Sequence, residues 1–126
     1  MACISYQKTI PVRCEVEIMI AGGGPSGIAA ALAAAGQGRK VFLAEAQSCL
    51  GGLGTAGLVP SFVTFSDGEN FLADGIGRLI LESLSREKGA SYPGSINSIP
   101  VELLKRVYDR LLLQAGVEFT FQTQVV

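Results

Sequence analysis

The segment GGGPSG places Gly22, Gly24 and Gly27 at the spacing of a G-x-G-x-x-G turn, and an acid, Glu45, closes the apolar run that follows. Residues of these types recognise a ligand; they do not break bonds. A glycine in the first position allows a tight turn, one in the second lets backbone approach a pyrophosphate, and one in the third lets helix and strand touch. Pro25 and Ser26 open the helix, where free N–H groups and the helix dipole favour an anion. An acid at the end of the next strand can accept hydrogen bonds from ribose hydroxyls, and it disfavours a 2′-phosphate. Together these residues point to the adenosine-diphosphate half of a dinucleotide.

Such a site needs a strand before the glycines, a helix after them and a second parallel strand. Residues 15–21 supply the first, partly alternating and then apolar at Val16, Ile18, Met19 and Ile20, the pattern of a parallel strand buried on both faces. The alanine-rich run to Ala35 is a close-packing helix, with Ala31 small enough to let it lie on the sheet, and Gly36 and Gly38 stop it. Residues 40–45 (KVFLAE) form the second strand, giving a right-handed βαβ unit.

Residues 48–57 form a second glycine cluster, best read as a packed loop, and 58–65 are apolar and of undefined type. Between 71 and 88, Leu72, Ile76, Leu79, Ile80 and Leu84 recur at helical spacing. Turn residues fill 89–98, and Pro100 then opens a helix with Val101, Leu104, Val107, Tyr108, Leu111 and Leu112 inward and Gly116 at its end. Residues 117–126 alternate as a strand, with Val117, Phe119 and Phe121 on one face. The expectation is an α/β domain with a parallel sheet: a single unit over 1–126, with 1–14 as an N-terminal extension.

At 126 residues, with 10 basic and 11 acidic side chains and no histidine, the chain offers no electrostatic case for nucleic acid and no histidine base or metal ligand. No stretch is long and apolar enough for a membrane span, and the extension lacks the apolar core of a secretory signal, so a cytoplasmic setting is expected. Cys3, Cys14 and Cys49 are odd in number, far apart and without metal-ligand spacing, which suits free thiols. Asp67 and Asp74 are carboxylates near a helix start, read as turn and first-turn residues before catalytic acids. Arg78, Arg106 and Arg110 read as exposed helix charges. No catalytic residue is identified.

The stretches IMIAGGGPSGIAAALAAA, AEAQSCLGGLGTAGLV and LLKRVYDRLLLQAGVEFTFQTQVV resemble the FAD-dependent oxidoreductases with a glutathione-reductase-like Rossmann domain, above all the group with an LGGxxTxG loop after the second strand. The resemblance covers nearly the whole chain. It implies a Rossmann-like three-layer FAD/NAD(P)-binding fold and FAD as cofactor. Gly51, Gly52 and Thr55 would lie along the pyrophosphate and ribityl chain, and Val125 would meet the adenine through its backbone. Flavin disulfide reductases of the same superfamily carry a cysteine pair after the glycine loop. Here Cys49 precedes Gly51 and no cysteine follows, which excludes dithiol chemistry.

The family's chains are considerably longer, with a later Thr-Gly-Asp segment that returns to the sheet and closes the flavin end. Against that pattern this chain is an incomplete, N-terminal portion of the domain. Its first strand then lacks a neighbour, inviting completion by a missing C-terminal half or self-association. The leading expectation is the FAD-binding portion of a flavin-dependent oxidoreductase with a small-molecule substrate. A non-catalytic ADP- or dinucleotide-binding module, or a truncated subunit, is the alternative. An NAD-dependent dehydrogenase would account for residues 22–45 but leave LGGLGTAG without a purpose.

Overall fold

The computed structural model describes residues 3–59, 61–62, 65–87 and 99–126. Three parallel strands form one sheet in the order β1-β2-β3, where β1 is Ile18–Ala21, β2 is Val41–Ala44 and β3 is Glu118–Thr120. The helices are α1, Pro25–Gly36, α2, Ile76–Arg86, and α3, Val101–Gln114, with a short 3-10 turn at Gly52–Gly54. The turn segment expected at 89–98 lies outside the described residues, as do 60, 63 and 64 of the apolar stretch and residue 88 at the expected helix end.

β1 pairs with β2 so that Ile18 meets Val41 and Ile20 meets Leu43, and Leu43 in turn meets Phe119 of β3. This row faces the core, where Ile28, Ala31 and Leu32 of α1 pack on it. Ala31 is wholly buried, as the small side chain at a helix–sheet contact requires. Gly38, at φ +76°, then turns the chain back, with its N–H on the Ala35 carbonyl at 2.8 Å.

Both crossovers step in the same direction, so their helices share one face of the sheet. Burial of β1 on both faces is therefore not what the strand shows. Ile18 and Ile20 are half-buried on the core side, while Met19 is 54% exposed on the other, in register with Phe42 and Glu118. β1 is also shorter than the apolar run, although Glu17 N–H still donates to the Lys40 carbonyl at 3.1 Å.

α3 buries Leu103, Leu104, Val107, Tyr108, Leu111 and Leu112. Each fully buried leucine contributes roughly 2 kcal/mol before entropy is charged against it, so α3 is the main buttress of the helical layer. α2 begins at Ile76 and not near 71, because Gly75 adopts φ +66° and Asp67 closes a turn ahead of it. Phe71 instead bridges back to Ser66, and Leu72 is 67% exposed. Leu79 sits at the helix margin, and Leu81 joins Ile80 and Leu84 in the buried stripe.

β3 is likewise shorter than its alternating pattern. Gln122, at φ +49°, takes the chain out of the strand. The segment beyond it returns to β2, with Thr123 N–H on the Glu45 carbonyl at 2.9 Å.

Candidate nucleotide site

The two glycine segments meet at the carboxyl ends of β1 and β2. Gly22, at φ +101°, makes the turn out of β1, and its N–H donates to the Ala44 carbonyl at 2.8 Å. A side chain at Gly27 would overlap the Gly22 carbonyl oxygen, so the helix can leave the turn at this angle only with glycine there. Gly24 is the N-cap of α1 and has open space where a side chain would project. No side chain caps α1, and Pro25 occupies its first position with Ser26 exposed beside it. The helix therefore presents its N-terminal turn uncapped beside the open space at Gly24.

Glu45 follows the last residue of β2 and is buried, at 7% exposure. Its Oε2 accepts the Gly23 N–H at 2.6 Å and its Oε1 accepts the Gln47 N–H at 2.6 Å. A carboxylate has about four lone-pair sites, so two backbone donors orient the group without exhausting it. Gly22, Glu45 and Val125 line one concavity of about 230 Å³ together with Ala21, Ala44, Ala46, Thr123 and Gln124. Residues far apart in sequence thus border one space.

The second glycine loop is docked on the first. Gly51 N–H donates to the Gly23 carbonyl at 2.8 Å, and a Cβ on Gly52 would lie 3.2 Å from Gly24 Cα. Gly51 and Gly52 both have positive φ, at +106° and +51°. Thr55 is buried, and its hydroxyl donates to the Leu50 carbonyl at 2.5 Å, which ties the loop to itself. The Cys49 thiol lies 3.8 Å from the same hydroxyl, and all the cysteines are free.

Sequence reasoning gave no place at the site to Gly23, to Leu50 or to Tyr108, which it read only as an inward residue of its helix. Gly23 occupies a position the glycine pattern leaves unspecified, so a third consecutive glycine was itself the signal. Leu50 is fully buried beneath it, and Tyr108 packs so closely that a Cβ on Gly51 would lie 2.9 Å from its ring. Neither contact has a local sequence mark.

The carboxylates considered as acids have other work. Asp67 accepts the N–H groups of Asn70 at 2.6 Å and Glu69 at 2.9 Å, and these bonds hold its carboxyl below the usual range. Asp74 is lowered by Arg78, whose Nε lies 2.6 Å away, and by the Gly75 N–H. Both are turn and pairing groups, ionised at neutral pH. Arg78 also lies over the Phe71 ring at 4.4 Å, and Arg110 pairs with Glu87. Among the described residues no acidic, cysteine or histidine cluster could hold a metal. No helix among them is long and apolar enough to cross a membrane.

The profile of the FAD-dependent oxidoreductases matches residues 17–126, from the residue before β1 to Val126. The chain belongs to the FAD-dependent oxidoreductase family. FAD is the cofactor of these proteins, and the parallel sheet with its crossover helices is their Rossmann-like nucleotide-binding architecture. Among solved structures, THI4 of Thermovibrio ammonificans is similar, with a TM-score of 0.54 and 22% identity over 84% of this chain. At that identity the likeness speaks for the fold. The match covers 38% of the THI4 chain, so this chain spans well under half of that length. No curated protein matches it.

Proposed function

We propose that the chain is the FAD-binding portion of a flavin-dependent oxidoreductase and grips the ADP half of FAD through GGGPSG and Glu45. The observation that carries this is the concavity shared by Gly22, Glu45 and Val125, with a buried carboxylate on its wall. Each Glu45 oxygen accepts one backbone N–H and keeps capacity for one more donor, which suits the two hydroxyls of an adenosine ribose. Gly22, Gly24, Pro25, Ser26 and Gly27 would cradle the pyrophosphate at the uncapped start of α1. Gly51, Gly52 and Thr55 would follow it toward the ribityl chain, with Val125 at the adenine.

Bound FAD supplies hydride transfer at its isoalloxazine. The chain's own residues bind and orient: Glu45, buried and held by two backbone N–H groups, would face the ribose, and the glycines keep side chains away from the diphosphate. Completion of the sheet by further polypeptide and a cytoplasmic setting belong to the same reading. Their support is the edge of β1 that has no neighbour among the described residues, and the free thiols.

The test is thermal stabilisation of the purified chain by FAD, ADP and NAD at matched concentrations, alongside its flavin absorbance. A ligand at a hundred times its Kd stabilises by about 2.7 kcal/mol, well within measurement. FAD is expected to stabilise most. Stabilisation by NAD but not FAD would sink the proposal. Equal stabilisation by ADP and FAD would favour the second reading, a module that holds only the adenosine end. That reading draws on Asp67 and Asp74 being engaged in turns.

A further inference from the structure

We infer that Tyr108 is a positioning residue for the second glycine loop: its ring is the rigid wall that presets Gly51 and Gly52 for the flavin side of FAD, and through it α3 sets the preference for FAD over ADP. The inference rests on the proposed path of FAD from the diphosphate past that loop to the ribityl chain. The concavity of Gly22, Glu45 and Val125 is built from the ends of β1 and β2 and from residues 123–125. Tyr108 stands elsewhere, on α3 and against the neighbouring loop, at 1% exposure.

Gly51 and Gly52 are consecutive residues at positive φ, +106° and +51°, and a pair of glycines is the backbone with most freedom to lose on ordering. Their surroundings restrain them. A Cβ on Gly51 would lie 2.9 Å from Tyr108 Cε2 and 2.5 Å from Thr55 Cγ2, so the loop is held between an aromatic ring and a β-branched side chain, each 1% exposed. Neither neighbour has a flexible far end: a ring moves as one plate, and threonine is stiff at χ1. The Thr55 hydroxyl donates to the Leu50 carbonyl at 2.5 Å, so Thr55 braces the loop from within and Tyr108 from outside. The first glycine turn has separate anchors, the Gly22 N–H on the Ala44 carbonyl and the Gly23 N–H on Glu45. Loss of the ring therefore frees the second loop and leaves the first in place. Ordering one freed glycine during binding lowers affinity about tenfold.

The experiment measures Kd for FAD and for ADP by calorimetry on the full chain, as wild type, Tyr108→Leu, Tyr108→Met and Tyr108→Phe. Val107→Ala, at a fully buried neighbour on the same helix, is the control for lost packing. Wild type, Tyr108→Phe and Val107→Ala are expected to hold FAD more tightly than ADP. Tyr108→Leu is expected to weaken FAD about tenfold while ADP stays within about twofold of wild type. Tyr108→Met fills the same space with a flexible chain, and it gives the same split where the leucine variant fails to fold. A merely structural tyrosine would weaken both ligands alike or neither, and that result overturns the inference alone. So does loss of the preference in Tyr108→Phe, which keeps the ring. A wild type that binds FAD and ADP equally overturns the proposed path of FAD and the inference with it.

Discussion

A methyl group at Gly27 would fall on the carbonyl oxygen of Gly22, an obstacle made of backbone that cannot rotate aside. Overpacking of this kind typically costs about 1–3 kcal/mol, and a rigid partner places Gly27→Ala toward the upper end. Gly36, the last residue of α1, has nothing within reach of a Cβ, so Gly36→Ala should be neutral or stabilising by up to about 1 kcal/mol. Urea midpoints of the two variants, measured side by side, check the contrast. Similar values would mean that the close approach of helix and turn at Gly27 does not constrain the fold. The spacing of glycines around the first turn was legible in the sequence because each answers to a local rule about turns and helix starts. The bond from the Gly23 N–H to Glu45 and the packing of Leu50 beneath it were not, because both side chains reach Gly23 only through the fold.

At the scale of elements, α3 joins the helical layer to the second glycine loop through Tyr108. The side chain is 1% exposed and lies against Gly51. Burial disfavours the phenolate and pushes the hydroxyl up to about 12. An unfolded tyrosine ionises near pH ~10, so the folded state holds its proton more tightly than the unfolded chain. The stability that follows is fully present below about pH 10 and is lost as pH rises toward 12, about 3 kcal/mol over the window. Tyr108→Phe should remove this alkaline loss, as seen in urea unfolding of both proteins at intervals from neutral to alkaline pH. A variant that loses stability as steeply as the wild type would place the alkaline transition elsewhere.

Helix α3 was also the element most legible in advance, since its apolar residues recur without interruption from Leu104 to Leu112. α2 was less so. Leu72 continues the helical spacing by coincidence, whereas the positive φ of Gly75 and the Asp67 turn set the true boundary. Periodicity measures side-chain spacing and carries no record of where the backbone changes course.

At the scale of the whole molecule, the open side of the sheet follows from its topology. Both crossovers place their helices on one face, and β1 has no neighbour on its second edge among the described residues. Met19 stands on the uncovered face at 54% exposure, next to Phe42 in the register, while Ile18 and Ile20 take the core side. An unpaired, apolar edge strand is a template for another strand, and natural proteins blunt such edges with lysine. Met19→Lys should therefore lower concentration-dependent self-association of the isolated chain in light scattering. Because Met19 contributes little to the core, the unfolding free energy should change by no more than about 0.5 kcal/mol. The pairing of the two measurements matters, because a variant that associates less only by unfolding would show it in the second. If association is unchanged at equal stability, the open edge is not the contact. In that case the exposed apolar residues of the N-terminal extension, Ile4, Tyr6, Ile10 and Val12, are the next surface to blunt.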